Sequence, residues 1–124
     1  MVIDSPGSYF EAIAAKGWES QLAEVVGTWQ FDIDDAGTWS IHVDHGAMQV
    51  KQGPDPAANA RLRFGRPEFL RLARGDQHEN VLTALLRGAI REVDGDIAFA
   101  QKVQTILPFD EARPQGAEPR AAGK

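Results

Sequence analysis

Apolar and polar residues alternate with a period of two through much of the first half of the chain. Residues 28–34 and 38–44 show the alternation most clearly, and Met48 and Val50 continue it. The intervening turns contain Gly37 and Gly46. Alternation of this kind predicts strands with one buried face. Turns containing glycine between such strands predict an antiparallel meander.

Segments in which apolar residues have helical spacing precede and follow these strands. Residues 8–25 predict a helix capped by Ser5 or Ser8, with Glu11 completing a capping box and Gly17 dividing it in two. A fourth strand at residues 59–64 is followed by a helix in which Pro67 suits the first position. The remaining predicted elements are a helix at 78–87 closed by Gly88, a strand at 89–93, and a helix at 97–107 stopped by Pro108.

Each predicted strand has a polar face and an apolar face. A sheet of this kind is solvated on one side and covered on the other, so all the helices must pack on its apolar side. The sequence therefore predicts an α+β domain of two layers, in which helices cover one face of the sheet.

The last predicted helix is apolar around roughly half of its circumference, which is wider than the stripe of a simple surface helix. Only Gln104 interrupts this apolar arc. Two interpretations fit the pattern: the helix lies in a groove of a small closed core, or it also lines a cavity. Periodicity alone leaves both open.

Composition narrows the class of protein. The chain has 124 residues, no cysteine and a formal charge of −5, which disfavours nucleic acid and anionic lipid surfaces as partners. The absence of thiols excludes disulfides and thiolate metal sites and fits a reducing compartment. No segment resembles a signal peptide or a membrane span, so stable membrane insertion is not expected. We expect one domain at residues 1–109 and a disordered Pro- and Gly-rich tail at 110–124.

An ordered set of short motifs resembles the sterol carrier protein type-2 family over about residues 8–108. Residues 26–33, Trp39 with Ile41, and residues 44–46 resemble its first strands and turn, and Gly53 resembles the end of its third strand. The later matches are to the family's fourth strand and following helix and to its closing strand–helix unit, at residues 60–62, 69–75, 84–88 and 95–103.

The resemblance implies a five-stranded, mixed but mainly antiparallel sheet covered on one face by helices. It also implies a tunnel between sheet and helices for fatty acyl chains, sterols or isoprenoids, with the last helix as a movable cover. It implies no metal or organic cofactor. Residues 88–95 are one residue longer than the family pattern, which leaves the register of the last strand open. The C-terminal residues 121–124 lack a peroxisomal address, so we expect a bacterial cytoplasmic protein, a monomer or dimer that could serve an enzyme partner.

Apolar residues of the strands and of the last two helices are the candidate ligand contacts. The alternative is that they fill a closed core, as such residues ordinarily do. The candidates are Trp29, Phe31, Trp39, Met48, Phe64, Leu82, Leu86, Phe99, Val103 and Leu107.

Candidate catalytic groups are sparse. His42 and His45 flank Asp44, but their spacing is wrong for a helical metal pair, and His42 belongs to the polar sheet face. We expect Arg61, Arg63 and Arg91 to pair with Asp32 across strands. The sequence thus favours a carrier or reservoir of a hydrophobic ligand. An isomerase, a cyclase or an accessory protein using the same pocket, and a non-binding interaction module, remain as alternatives.

Overall fold

A computed structural model describes residues 4–74, 81–88 and 90–107. It contains five strands, four α-helices and two 3-10 segments in that part of the chain. The elements are α1 (Pro6–Lys16), a first 3-10 segment (Ser20–Leu22), β1 (Val26–Ile33), β2 (Gly37–Asp44), β3 (Ala47–Gln52), β4 (Ala60–Phe64), α2 (Arg66–Arg74), α3 (Val81–Arg87), β5 (Ile90–Gly95), α4 (Ile97–Gln101) and a second 3-10 segment (Lys102–Thr105).

The sheet has the strand order β3-β2-β1-β4-β5. Strand β1 is central: it pairs antiparallel with β2 and parallel with β4, and β4 pairs antiparallel with β5. The apolar residues of β4, and those of β1 from Trp29 onward, are buried beneath the helices. The α+β class and the mixed five-stranded sheet predicted from the sequence are confirmed.

Helix α1 begins where the sequence provides a cap. Ser5 is the N-cap, and its hydroxyl accepts from the Ser8 backbone N–H while the Ser8 hydroxyl accepts from the Ser5 backbone N–H. The capping box therefore uses Ser8 rather than the predicted Glu11. The helix ends at Gly17, whose φ of 66° is in the left-handed region. The expected second helix is only the 3-10 segment Ser20–Leu22, because the chain then turns directly into β1.

The polar face of the sheet is less solvated than predicted. The connection from β3 to β4, residues 53–59, touches this face, since the Ser40 hydroxyl donates to the Gly53 carbonyl over 2.8 Å. The Asp55 backbone N–H likewise donates to the Gln30 side-chain oxygen over 3.1 Å. Consequently Thr28, Gln30 and Ser40 are buried. A parallel β1–β4 pair requires such a crossing connection, and that constraint is not visible in period-two alternation.

Strand β5 contains a bulge at the position where the sequence left the register open. Arg63 is opposite Glu92 but Phe64 is opposite Ile90, so Arg91 is the extra residue. Arg91 Nε and Arg63 Nε both bind the carboxylate of Asp34, at 2.9 and 3.0 Å. The predicted partner Asp32 was wrong for these two arginines.

The donors to Asp32 are uncharged. Its carboxylate accepts hydrogen bonds from Gln30 and Thr38. Asp34, which binds the arginines instead, lies in the turn after β1, and its backbone N–H donates to the Phe64 carbonyl. That bond extends the β1–β4 ladder by one residue and brings Asp34 beside β4.

The last helix differs from the prediction in length and type. Helix α4 stops at Gln101, and the chain continues as the 3-10 segment Lys102–Thr105. Ile97 is 50% exposed, and Gln104 faces solvent. Because a 3-10 segment turns more tightly than an α-helix, the apolar arc calculated for a continuous helix does not apply. Phe99, Val103, Ile106 and Leu107 nevertheless face the interior.

Replacing Gln30 with alanine will test whether the crossing connection depends on the polar face. The substitution leaves the Asp55 N–H without its acceptor, so we expect a loss of about 1–2 kcal/mol in the free energy of unfolding. Urea denaturation measures this. Gln49→Ala, on the same face but exposed, is the control and should change stability by less than about 0.5 kcal/mol. Equal effects of the two substitutions would contradict the structure's assignment.

Candidate functional site

A cluster of buried aromatic rings occupies the space between the sheet and helices α1 and α2. Phe69 of α2 is its centre: its ring lies 5.2 Å from those of Tyr9 and Phe64 in edge-to-face contacts, and 5.7 Å from that of Phe10 in a stacked one. Phe31 of β1 lies 6.4 Å away, between centroids. These are favourable aromatic geometries. This end of the layer is therefore filled by rings in mutual contact.

A second aromatic pair joins the sheet to α4. The rings of Trp29 and Phe99 stack with centroids 4.9 Å apart, and the indole N–H of Trp29 donates to the Phe99 backbone carbonyl over 2.9 Å. Gly27 makes this approach possible, because a Cβ there would lie 2.6 Å from the Phe99 ring. The pair attaches the first turn of α4 to the central strand.

The last residues that the structure describes are attached to α1 in a similar way. The hydroxyl of Tyr9, fully buried in α1, donates to the Ile106 carbonyl over 2.6 Å. Burial raises the pKa of Tyr9 well above its ordinary value. The segment from Ile97 to Leu107 is thus held at both ends by a buried side chain that donates to one of its backbone carbonyls.

The structure places most of the predicted contact residues inside this layer. Trp39 is half-buried and stacks on Phe10 with ring centroids 4.8 Å apart, and Met48 lies on β3, which packs against α1. Leu82 is in α3, but its side chain lies outside the described residues. The predicted contacts that are buried are Trp29, Phe31, Met48, Phe64, Phe99, Val103 and Leu107.

Leu86 is the exception among the described candidates. It is 79% exposed, whereas Ala84 is buried and Leu85 is half-buried against the core. Neighbouring positions on an α-helix point in directions about 100° apart, and in α3 it is Leu85 that faces the core. The structure therefore places Leu86 outside the apolar layer, and its contact with a ligand stays a prediction.

Three central residues of the layer were absent from the predicted contacts. Tyr9, Phe10 and Phe69 are fully buried and join the helices to the sheet. The sequence does place each of them on the apolar stripe of its helix. Helical period, however, does not say which sheet residues a stripe will meet, so it could not bring Phe69 beside Phe31 and Phe64.

An open cleft of about 440 Å³ lies at the β4–β5 end of the sheet. Its charged lining comes from the polar face, whereas Leu62 and Val93 belong to the helix-covered face and Leu85 to α3. The remaining lining residues are Asp32, Arg61, Arg63, Glu92 and Asp94. The cleft therefore lies mainly on the polar face near the β5 edge, where Leu85 of α3 also borders it.

The two described histidines lie outside the apolar layer. The Nδ1 atom of His42 lies 2.8 Å from the Thr28 hydroxyl on the polar face, and His45 pairs with Asp44 in an exposed turn. His78 lies outside the described residues. Within the described ranges, no three side chains are grouped as metal ligands. No helix in this same part of the chain is long and apolar enough to cross a bilayer.

The protein is thus a small α+β domain whose interior consists mainly of apolar side chains. A sequence model of the SCP-2 sterol transfer family matches residues 10–108. This chain therefore belongs to the SCP-2 sterol transfer family. No curated protein matches it.

Solved structures share the fold at low sequence identity. Palmitated SCP2L2 from Aedes aegypti is 23% identical, with a TM-score of 0.60, over 85% of this chain and 96% of that one. Apo sterol carrier protein 2 from Yarrowia lipolytica is 20% identical, with a TM-score of 0.60, over 86% and 93%.

The likeness extends to part of a larger enzyme. The stereoselective inverting sec-alkylsulfatase Pisa1 from Pseudomonas sp. has a TM-score of 0.68 and 17% identity over 88% of this chain. The match covers only 17% of that enzyme. The fold thus occurs both as nearly a whole protein and as a small part of a larger one.

Tyr9 gives a direct optical test of the buried attachment to Ile106, because it is the chain's one tyrosine. Its pKa is raised in the folded state, so its contribution to stability is complete below the unfolded value of about 10 and is lost as the pH rises towards the folded value. While the protein is folded, we expect tyrosinate absorbance to develop only well above pH 10. At lower pH, tyrosinate absorbance should appear only together with unfolding.

Tyr9→Phe is the matched variant for this measurement. It removes the hydroxyl but keeps the ring, so at neutral pH it should lower the free energy of unfolding by about 1–3 kcal/mol, since the Ile106 carbonyl loses its donor. Its stability should also fall less steeply at alkaline pH than that of the unaltered protein. Tyrosinate absorbance appearing near pH 10 without unfolding would show that the hydroxyl is not buried.

Proposed function

We propose that this protein binds a hydrophobic ligand between its sheet and its helical layer, and acts as a carrier or reservoir for that ligand. The ligand class is a fatty acid or fatty acyl chain, a sterol, or an isoprenoid. Membership of a sterol transfer family supports the general activity. The apolar layer beneath α4 and the second 3-10 segment supports the location.

The structural observation that carries the proposal is how the segment from Ile97 to Leu107 is attached. Its α-helical part has five residues, which is too short for independent stability in water. It stays on the sheet through buried Phe99 and Val103 and the two hydrogen bonds to its carbonyls. A short segment attached in this way can move away from the sheet as a unit. A ligand between them would then contact apolar side chains of both the segment and the sheet.

The solved relatives support an acyl ligand in particular. One similar structure is described as palmitated. We therefore propose a saturated fatty acyl chain as the first ligand to examine. The residues we propose to contact it are Phe99, Val103 and Leu107 on the segment from Ile97 to Leu107, and Trp29 on the sheet.

A second candidate is an accessory role, in which the protein presents a hydrophobic substrate to a separate enzyme. The observation that favours it is the occurrence of a similar fold within a sec-alkylsulfatase. A catalytic role for this chain itself has less support. Gln104, the one polar residue in the predicted apolar arc, faces solvent, so it does not supply a polar group to the interior.

Native mass spectrometry before and after organic extraction tests the carrier proposal. We expect the purified protein to carry an extractable acyl or isoprenoid molecule, and the extracted protein to rebind a fluorescent fatty acid that palmitate displaces. Protein that is empty as purified and binds neither probe would contradict the proposal.

A space-filling substitution locates the ligand. Val103→Phe enlarges a fully buried side chain beneath the second 3-10 segment, so it should weaken fatty-acid binding by about tenfold, corresponding to the ~1–3 kcal/mol cost of overpacking. Lys102→Ala, at the exposed neighbouring position, is the control and should leave binding unchanged. Equal binding by both folded variants would place the ligand elsewhere.

A further inference from the structure

The two ends of the apolar layer differ in their accessibility. At the α1–α2 end, the rings of Phe10, Phe31, Phe64 and Phe69 are buried and in contact with one another. At the α3–α4 end, large apolar side chains reach the surface, and the open cleft adjoins the layer. The residues that mark this open end are Leu85, Leu86, Val93 and Ile97.

Leu62 marks the boundary between the two ends. It lines the cleft and is itself fully buried on the helix-covered face of β4. Phe31 is directly opposite it on β1, and Phe64 is two residues further along β4 on the same face. Side chains at such positions are within contact distance across a sheet. An apolar chain that passes Leu62 from the open end therefore meets aromatic rings at once.

Phe69 holds these rings in place from the opposite layer. Its ring contacts Phe64 with centroids 5.2 Å apart and Phe31 with centroids 6.4 Å apart, so it spans the gap between α2 and the sheet. We refer to Phe31, Phe64 and Phe69 as the aromatic wall. Its three rings are completely inaccessible to solvent, and protein interiors of this kind resist displacement because they are close-packed.

We propose that the aromatic wall, through Phe69, limits the length of the acyl chain that this protein accepts. The inference rests on the proposed binding of a ligand between the layers and adds which ligands fit. Chains short enough to end at the wall bind with their whole apolar part covered. Longer chains must leave their additional methylenes in water or displace the rings.

The open cleft is the proposed position of the ligand's polar end. The charged lining of the cleft, which includes Arg61 and Asp94 at 3.8 Å, suits the polar end of an amphiphile better than its tail. The apolar tail would then point towards Leu62 and the wall.

Isothermal titration of delipidated protein with octanoate, decanoate, laurate, myristate and palmitate tests the limit. Each methylene buried should tighten binding about fourfold, until the chain reaches the wall and the affinity stops increasing. In Phe69→Leu, which removes the ring but keeps an apolar side chain, this plateau should move to longer chains. The first acid beyond the original plateau, with two more methylenes, should gain about fifteenfold in affinity.

Two further variants make the result specific. Phe64→Leu opens the same wall from the sheet and should move the plateau in the same direction, which covers the case in which Phe69→Leu does not fold. Leu22→Ala changes an equally buried side chain in the first 3-10 segment. It should reduce stability but keep the original plateau.

Separate outcomes would overturn the two proposals. An unchanged plateau in folded Phe69→Leu and Phe64→Leu, or an affinity that rises without a break to palmitate in the unaltered protein, contradicts the length limit alone. Binding of a sterol but of no fatty acid also contradicts the length limit and leaves the carrier proposal standing. Failure to bind any fatty acid, sterol or isoprenoid contradicts both.

Discussion

Burial of a single sheet face beneath short helices is the constraint on which this structure depends. The described α-helices have between five and eleven residues, so none gains enough from its own hydrogen bonds to persist alone. Each is stabilised by the apolar side chains it places against β1, β4 or their neighbours. Because β1 is central, Trp29 and Phe31 serve both the α1–α2 side and the α4 side of the layer.

This dependence explains why the few buried hydrogen bonds in the layer go to backbone carbonyls. The carbonyls at the end of a helical segment lack intrahelical partners. Tyr9 supplies a donor to one such carbonyl, that of Ile106. Trp29 adds a second donor to the Phe99 carbonyl, which also accepts from the Lys102 backbone N–H where α4 changes to 3-10 geometry. The amphipathic side chains thus satisfy buried polar groups while their rings add to the apolar contacts.

Local pattern was sufficient for most of the fold. Alternation predicted the strands, and the glycines at positions 17, 37 and 46 marked real ends and turns, because these effects act within a few residues. Contacts between residues far apart in the sequence were harder to predict from local pattern. The ion pairs of Arg63 and Arg91 with Asp34 require both the β1–β4 register and the bulge, and neither can be read from the spacing of charges.

The candidate site, like the fold, was predicted where local pattern is sufficient and missed where contacts between distant residues decide. Seven of the ten predicted contacts are buried in the layer, four of them on the inner sheet face and three in the segment from Ile97 to Leu107. The exposure of Leu86 could not be predicted, because a helix of seven residues offers too little period to distinguish its inner from its outer side. Phe69 was missed because its importance comes from rings contributed by three other elements.

The bulge at Arg91 has a consequence for the protein's behaviour in a crowded solution. Strand β5 lies at the edge of the sheet, and an edge with regular unpaired backbone groups is a template on which another chain can add a strand. Here the extra residue disturbs that regular spacing, and charged Arg91, Glu92 and Asp94 stand along it. The residue that binds β5 to Asp34 thereby also disfavours the addition of another strand at this edge of the sheet.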